Sequence, residues 1–354
     1  MPRSASVARL QFGCSRLIGK MLLRVKRSWK FGIACAATSL VAACGTPSWL
    51  YSTIQDCQDE SLVGSRVDLT WLGVAGIYID DGDTGILIDP FVSRKAMPLR
   101  RVVFNRPLRA NQDAIISVSD QIGADDAAAV IVTHSHYDHA IDAPDFARHA
   151  SAKLYGSPSM GRIAASHGYK DFKPVEIGDV LGSADGLGEF EVEFREGRHG
   201  GVVLGFVPDR RTVWKTFDLP GTRSSYQAGT VFSLVIRHRH GTIIYTGTAG
   251  IADGMFEDIE KQGDAVVAVL TLAGRDDTKS YLSATIGETG AATVVPIHFD
   301  DFFRPIDQPM RILDQARFDE FVDVLSTEHE GVRFRPLPIN SACPVLPMTP
   351  ALNE

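Results

Sequence analysis

Residues 133–139 read Thr-His-Ser-His-Tyr-Asp-His and follow the apolar run Ala-Ala-Ala-Val-Ile-Val at 127–132. His134, His136, Asp138 and His139 therefore share a few residues of backbone where a strand is expected to end. Imidazole nitrogen and carboxylate oxygen are the ligands that suit zinc and similar divalent ions. Along extended chain, residues 134, 136 and 138 point the same way, and a short turn would bring His139 round to them. A lone histidine is more often structural, but four ligand-type residues within six positions are hard to obtain that way. They also exceed what one catalytic zinc takes from protein, so the cluster predicts two metal ions. Water on such ions has its pKa lowered from near 16 to about 7. The chemistry expected is hydroxide attack on an ester, amide, lactone or phosphoester, with the metals polarising the scissile group.

The motif has the form H-x-H-x-D-H and resembles the signature of the metallo-β-lactamase superfamily. The resemblance extends over residues 66–340. Thr70–Ile79, the turn Asp81–Gly85 and the run Ile86–Pro90 resemble that family's opening hairpin. Trp-Leu-Gly at 71–73, followed by Leu-Ile-Asp-Pro at 87–90, is similar to one branch in particular. That branch holds the ascorbate-6-phosphate lactonases and the N-acylphosphatidylethanolamine-hydrolysing phospholipase D. The resemblance implies an α/β chain folded as a four-layer αββα sandwich, with metals at one edge between two sheets.

It also implies a ligand set. His134, His136 and His199 are expected on the first metal, and Asp138, His139 and His298 on the second. His199 follows the strand-like run 189–195 and His298 the run 292–297. Asp138 is further expected to orient the hydroxide and accept its proton. Most relatives bridge the metals with an aspartate after a Thr-Gly pair, whereas this chain places Thr248 after Thr246-Gly247. A neutral hydroxyl is at best a weak bridge, so the second site is expected to be the more exchangeable, with Asp253 a conceivable substitute. Asp89 resembles a carboxylate that supports a ligand histidine through its other ring nitrogen, the alternative being a turn residue before Pro90. Asp300 and Asp301, directly after His298, are either supporting groups or solvated. Zinc is the expected metal, and manganese or iron would accept the same ligands.

The N-terminus carries a separate signal. Arg24, Lys26, Arg27 and Lys30 precede an apolar run from Phe31 to Ala43, too short to span a bilayer. Val-Ala-Ala-Cys at 41–44 resembles a bacterial lipobox, which predicts removal of 1–43 and lipidation of Cys44. A plain signal peptide is the alternative, and Met21 is a second candidate start. The expected organisation is a signal segment over 1–43, a lipid-anchored tether over 44–65 and a hydrolase domain over 66–345. The expected location is the bacterial cell envelope, on the periplasmic face of the outer membrane. The segment 1–43 holds eight basic residues and no acids, so its removal takes the formal charge from −7 to −15. Such acidity disfavours nucleic acid as a partner. Cys57 and Cys343, near the two ends of the mature domain, are either a disulfide or two free thiols.

About 300 mature residues suit one large domain. Strand patterns run near 67–80, 85–89, 127–133, 153–156, 189–196, 229–238, 242–247, 265–272 and 292–297. Helix patterns run near 142–150, 158–167, 277–287 and 313–329, the last with Ile312, Leu313, Ala316, Phe318, Phe321, Val322 and Leu325 as a core-facing stripe. Two irregular stretches bear on substrate. Residues 92–112 hold Arg94, Lys95, Arg100, Arg101, Arg106 and Arg109, either a solvated loop or a contact for anionic groups. Residues 200–228, with Phe206, Trp214, Phe217, Pro220 and Tyr226, read as a partly apolar lid. His238 and His240, near a hairpin turn, are expected to be exposed. The leading expectation is an exported, metal-dependent hydrolase acting on a small-molecule or lipid-like substrate and tied to the membrane by its lipid. The alternatives are a mononuclear iron dioxygenase of the same fold and a non-catalytic metal-binding lipoprotein.

Overall fold

Strands that are buried at every position need cover on both faces. That pattern runs through Gly85–Ile88, Ala129–Val132, Gly241–Thr246 and Val266–Thr271. In the computed structural model these strands lie within two sheets, and the whole is a four-layer αββα sandwich. The structure describes residues 50, 57, 62, 67–94, 97–201, 211–252, 254–263 and 265–346, all within one compact unit, 46–354. The expected signal segment with Met21, the lipid cysteine Cys44, the tether apart from Leu50, Cys57 and Leu62, and Lys95, Phe206 and Asp253 lie outside the described residues. Among the described residues no helix is long and apolar enough to cross a membrane.

The first sheet contains β1 (Val67–Gly73), β2 (Gly76–Asp80), β3 (Gly85–Ile88), β4 (Ala129–Val132), β5 (Lys153–Gly156) and β6 (Phe172–Pro174). The second contains β7 (Val180–Leu181), β8 (Glu191–Glu196), β9 (Phe232–His238), β10 (Gly241–Thr246), β11 (Val266–Thr271), β12 (Thr293–Ile297) and β13 (Arg333–Phe334). The final strand β14 (Ala342–Leu346) returns to the first sheet beside β1. The orders are β14-β1-β2-β3-β4-β5-β6 and β13-β12-β11-β10-β9-β8-β7. One plan serves both. Each sheet is antiparallel on one side of its middle strand, β3 or β10, and parallel on the other. The parallel halves leave the C-terminal ends of β3, β4, β10, β11 and β12 on one rim, where loops must emerge.

Seven helices are described: α1 (Leu99–Val103), α2 (Gln112–Ile122), α3 (Tyr137–Ala140), α4 (Ala143–Ala150), α5 (Pro158–Ser166), α6 (Thr278–Leu282) and α7 (Phe318–Glu328). The α4 and α5 patterns were visible as 3.6-residue periodicity. The α2 helix was not, although Asn111 caps its first turn and Gly123, at φ 69°, ends it. The stripe predicted over 313–329 divides. Arg317 takes a left-handed conformation after a 3₁₀ turn at Asp314–Ala316, so the α-helix begins at Phe318.

The single strand expected over 67–80 is two strands joined by a tight turn at Val74 and Ala75. Val74 has φ 51°, costly for a β-branched residue. The turn is held on every side: Val74 N donates to Asp300 Oδ1 (3.0 Å), and Val74 O accepts from Trp71 Nε1 (3.0 Å) and His298 N (2.6 Å). Asp300 is fully buried, and its other oxygen accepts from Arg94 Nη2 at 2.5 Å. So Asp300 is a structural anchor rather than a solvated acid, and Arg94 leaves the basic cluster to become its buried partner. Asp301 instead caps a turn by accepting from Phe303 N. Arg100, Arg101, Arg106 and Arg109 are exposed.

Cys57 and Cys343 form a disulfide that links positions 286 apart and pins the chain before β1 to β14. Arg335 Nη2 donates to Cys57 O beside it (3.0 Å). Closing so long a loop restricts the unfolded chain, an effect of roughly 2–4 kcal/mol. Cys343→Ser should therefore lower Tm by several degrees in calorimetry, by the same amount as reduction of the wild type. Equal melting of wild type with and without reductant would show that the bond contributes nothing.

Candidate metal centre

The apolar strand β4 delivers the motif. Thr133 follows it, then His134, which is 1% exposed. Extended backbone runs only as far as His136, which forms the N-cap of α3 at ψ 155°. His139 N and Ala140 N donate to His136 O at 3.0 and 2.9 Å. Asp138 is thus placed by a helical turn and not, as the sequence reading had it, by continued extension. The turn separates the motif into two directions: His134 and His136 face one way with His199, while Asp138 and His139 face His298. In each set the ligand atoms lie within 4.8 Å of one another.

His199 comes three residues after β8. Its Nδ1 lies 3.1 Å from Gly200 O, and its Nε2 faces His136 Nδ1 at 3.0 Å. The Thr248 hydroxyl accepts from Gly200 N at 3.1 Å, so this residue braces the backbone at His199. His298 follows β12 with φ 53°, and its Nε2 is 3.5 Å from Asp138 Oδ2. Phe302 packs edge-on against its ring at 5.5 Å.

Asp89 is no ordinary turn residue. It is wholly buried at the end of β3 with φ 47°, and Oδ2 lies 3.0 Å from His139 Nδ1. Thr133 N (2.7 Å) and Thr133 Oγ1 (2.5 Å) donate to it, and the Tyr245 hydroxyl lies 2.9 Å away. Asp89 therefore orients His139 with its remaining nitrogen toward Asp138 and His298. Tyr245 and Thr133 were missed in the sequence. A tyrosine directly after Ile243 and Ile244 in the buried strand β10 is the signal that was available, because a buried phenol needs a partner. Gly247 is required here, since a Cβ would lie 2.6 Å from Asp89 Oδ2 and closer still to Thr133 Oγ1. Val74, Asp89 and His298, three non-glycine residues at positive φ, all border the centre. Strain gathered in this way is common at functional sites.

Charge follows the same division. Burial, aided by the neighbouring imidazoles, keeps His134 well below the ordinary histidine range, and burial with His136 brings His199 down to about 3. Burial also acts to raise Asp138, but His298, His139 and His136 outweigh it and hold the carboxyl below its usual value. For His139, burial is outweighed by Asp89 and Asp138, which raise it. Neutral His134 and His199 and an ionised Asp138 are the protonation states that bind metal, while a cation on the His139 ring would have to displace its proton. Ligand atoms on a tetrahedral zinc with 2.0–2.1 Å bonds sit about 3.3 Å apart, close to the 3.0 and 3.5 Å separations found here. Both ring nitrogens of His134 and Nδ1 of His298 are buried without a hydrogen bond. On each count the donor set fits two cations.

His238 and His240 depart from expectation. They are 1% and 7% exposed, because the β9–β10 turn folds in beside the β2–β3 turn. Of the aromatic residues in the segment expected to form a lid, Tyr226 is buried while Trp214 is 81% exposed.

The sequence profile of the metallo-beta-lactamase superfamily matches residues 69–213. A UPF0173 metal-dependent hydrolase of Methanopyrus kandleri is 25% identical over 269 residues, spanning 76% of this chain and 96% of that protein. One of Anaeromyxobacter dehalogenans is 25% identical over 242 residues, 67% of this chain and 76% of that one. Among solved structures, the metallo hydrolase Igni18 of Ignicoccus hospitalis superposes with a TM-score of 0.50 at 18% identity, covering 78% of this chain and 97% of that one. The architecture is thus the metallo-β-lactamase fold.

Proposed function

We propose that this chain is a metal-dependent hydrolase of the metallo-beta-lactamase superfamily and holds two zinc ions, one on His134, His136 and His199 and one on Asp138, His139 and His298. One observation carries the reading: two three-residue ligand sets meet at one rim, around a buried histidine with both ring nitrogens unpartnered. Ions bound there supply an activated water at neutral pH and draw charge from the scissile oxygen. The chain's own groups do the rest. Asp138, kept ionised by its histidine neighbours, orients the attacking water and takes its proton. Asp89 fixes the His139 ring, and Thr248 fixes the backbone that presents His199.

The substrate we favour is a lipid-like amide, ester or phosphodiester, which fits the resemblance to the lactonase and phospholipase D branch. Support comes from the rim. Phe104 and Trp214 are 71% and 81% exposed, and Leu99, Val103 and Leu219 are exposed beside Arg100, Arg101 and Arg106. Leu108 N donates to Gly221 O (2.7 Å) and Asn105 bonds Ser224, which ties these two segments together. Ser135 N donates to Ala228 O, which ties the second to the metal motif. An apolar, basic rim on an acidic chain suits an amphiphile with an anionic head. Lipidation at Cys44, with attachment to the periplasmic face of the outer membrane, would place that rim near such substrates. The support for it is the pattern of residues 24–44 alone.

Elemental analysis of the full chain in detergent tests the reading. His134→Ala should remove one zinc and His298→Ala another, each with loss of turnover on an ester, amide and phosphodiester panel. Iron in place of zinc would favour the dioxygenase alternative. Full zinc occupancy without turnover on any member of the panel would favour a binding lipoprotein.

A further inference from the structure

A second ligand cluster lies far from the first. β9 begins beside the motif, where Phe232 N donates to Thr133 O, and runs away for six residue steps to His238. At about 3.3 Å per step that is roughly 20 Å. There His238 meets Asp81, from the β2–β3 turn of the opposite sheet, and Glu189, just before β8. Its Nε2 lies 3.3 Å from Asp81 Oδ2 and 3.3 Å from Glu189 Oε2. It makes a well-formed hydrogen bond to neither, although the residue is 99% buried.

The carboxylates are held in place for this arrangement. Asp81 Oδ1 accepts from Thr84 N (2.7 Å) and Asp83 N (2.9 Å), which fixes that side chain and aims Oδ2 at the imidazole. Glu189 Oε1 pairs with Arg239 Nη1 at 2.7 Å, leaving Oε2 for His238. Phe190 packs against the His238 ring at 4.9 Å. Each group therefore contributes one atom to a common point, and both carboxylates stand from the imidazole at the spacing of about 3.3 Å expected between ligands on a tetrahedral zinc.

We propose that Asp81, Glu189 and His238 form a structural site for a divalent transition ion, zinc by preference, that clasps the two sheets at the rim opposite the catalytic centre. An imidazole with two carboxylates selects such an ion over calcium or magnesium, which take oxygen ligands. Water completes the coordination. His240 N donates to His238 Nδ1 at 3.3 Å, which places the ring proton on Nε2. An ion on Nε2 requires that proton to move to Nδ1 and this long hydrogen bond to break. The competing arrangement is an Nε2–H shared between the two carboxylates with no ion.

Zinc titration of the full chain, stripped beforehand with chelator, separates the two. Bound zinc per chain and Tm are read together for wild type, His238→Gln and Glu189→Gln. Wild type should bind one zinc more than His238→Gln and gain zinc-dependent melting temperature that the variant lacks. Glu189→Gln, altered at a half-exposed carboxylate, tests the site even where the buried change harms folding. It should weaken that one zinc about tenfold or more. Turnover should be unchanged in both, because the catalytic ligands are untouched. Identical zinc stoichiometry and identical melting response in all three proteins would overturn the site in favour of the shared proton.

Discussion

Asp138→Ala should lower kcat/KM for hydrolysis by at least about a thousandfold. Two losses combine. Removing a positioned general base typically costs 10²–10⁴-fold, and Asp138 is also one of three groups converging on the proposed second metal position. The fold should survive, since Asp138 lies in a short helical turn at the rim rather than in either sheet, and its carboxylate faces His298 Nε2 at 3.5 Å. The decisive readouts are turnover and metal content measured on the same folded sample. Loss of turnover with one zinc missing supports both roles. Loss of turnover with zinc retained limits Asp138 to proton transfer. Turnover close to wild type in a folded Asp138→Ala protein would remove it from the mechanism altogether.

Asp89→Ala should do two different kinds of damage. The carboxylate faces Thr133 N, Thr133 Oγ1, Tyr245 Oη and His139 Nδ1 with no exposure to solvent. Its loss leaves several buried donors unpaired at about 1–3 kcal/mol each. It also puts alanine at φ 47°, a conformation that asparagine and aspartate tolerate far better. A destabilisation of about 3–5 kcal/mol is expected, which for a chain of this size lowers Tm on the order of 10 °C. The second effect is on metal. Without its anchor the His139 ring loses its orientation, and zinc affinity at the second position should fall about 10–100-fold. Asp89→Asn separates the effects. It keeps the shape and the backbone conformation, so it should recover most of the stability. It lacks the anion facing His139, so it should not recover the zinc affinity. An Asp89→Asn protein with wild-type zinc affinity would show that Asp89 serves the fold alone.

These two residues illustrate what was readable in advance. Asp138 stands within a six-residue motif, and local spacing alone marks it. Asp89 was ambiguous, because Asp before Pro is also an ordinary turn. Its role appears only when β3 pairs in parallel with β4, which sets it beside Thr133 and within reach of Tyr245 from the facing sheet. The same holds for His238. A histidine near a hairpin turn reads as exposed until the turn of another sheet is packed over it. Arg94 belonged to a basic cluster in sequence and to a buried pair with Asp300 in space, across 206 positions.

The sequence by itself determined the types of the ligand side chains and the strands that carry them. Ligand types are fixed by residue identity, and strand ends are marked by where an apolar run stops, both of which are local properties. His199 and His298 each stand just beyond such a run, but it was the family resemblance that singled them out. Tertiary structure decided the tight turn at Val74, the bracing role of Thr248 and the second cluster at the far rim. Each of these depends on contacts between residues far apart in the chain. Such contacts form only when two sheets of parallel and antiparallel strands meet face to face, and no local pattern encodes which of their side chains will then be neighbours.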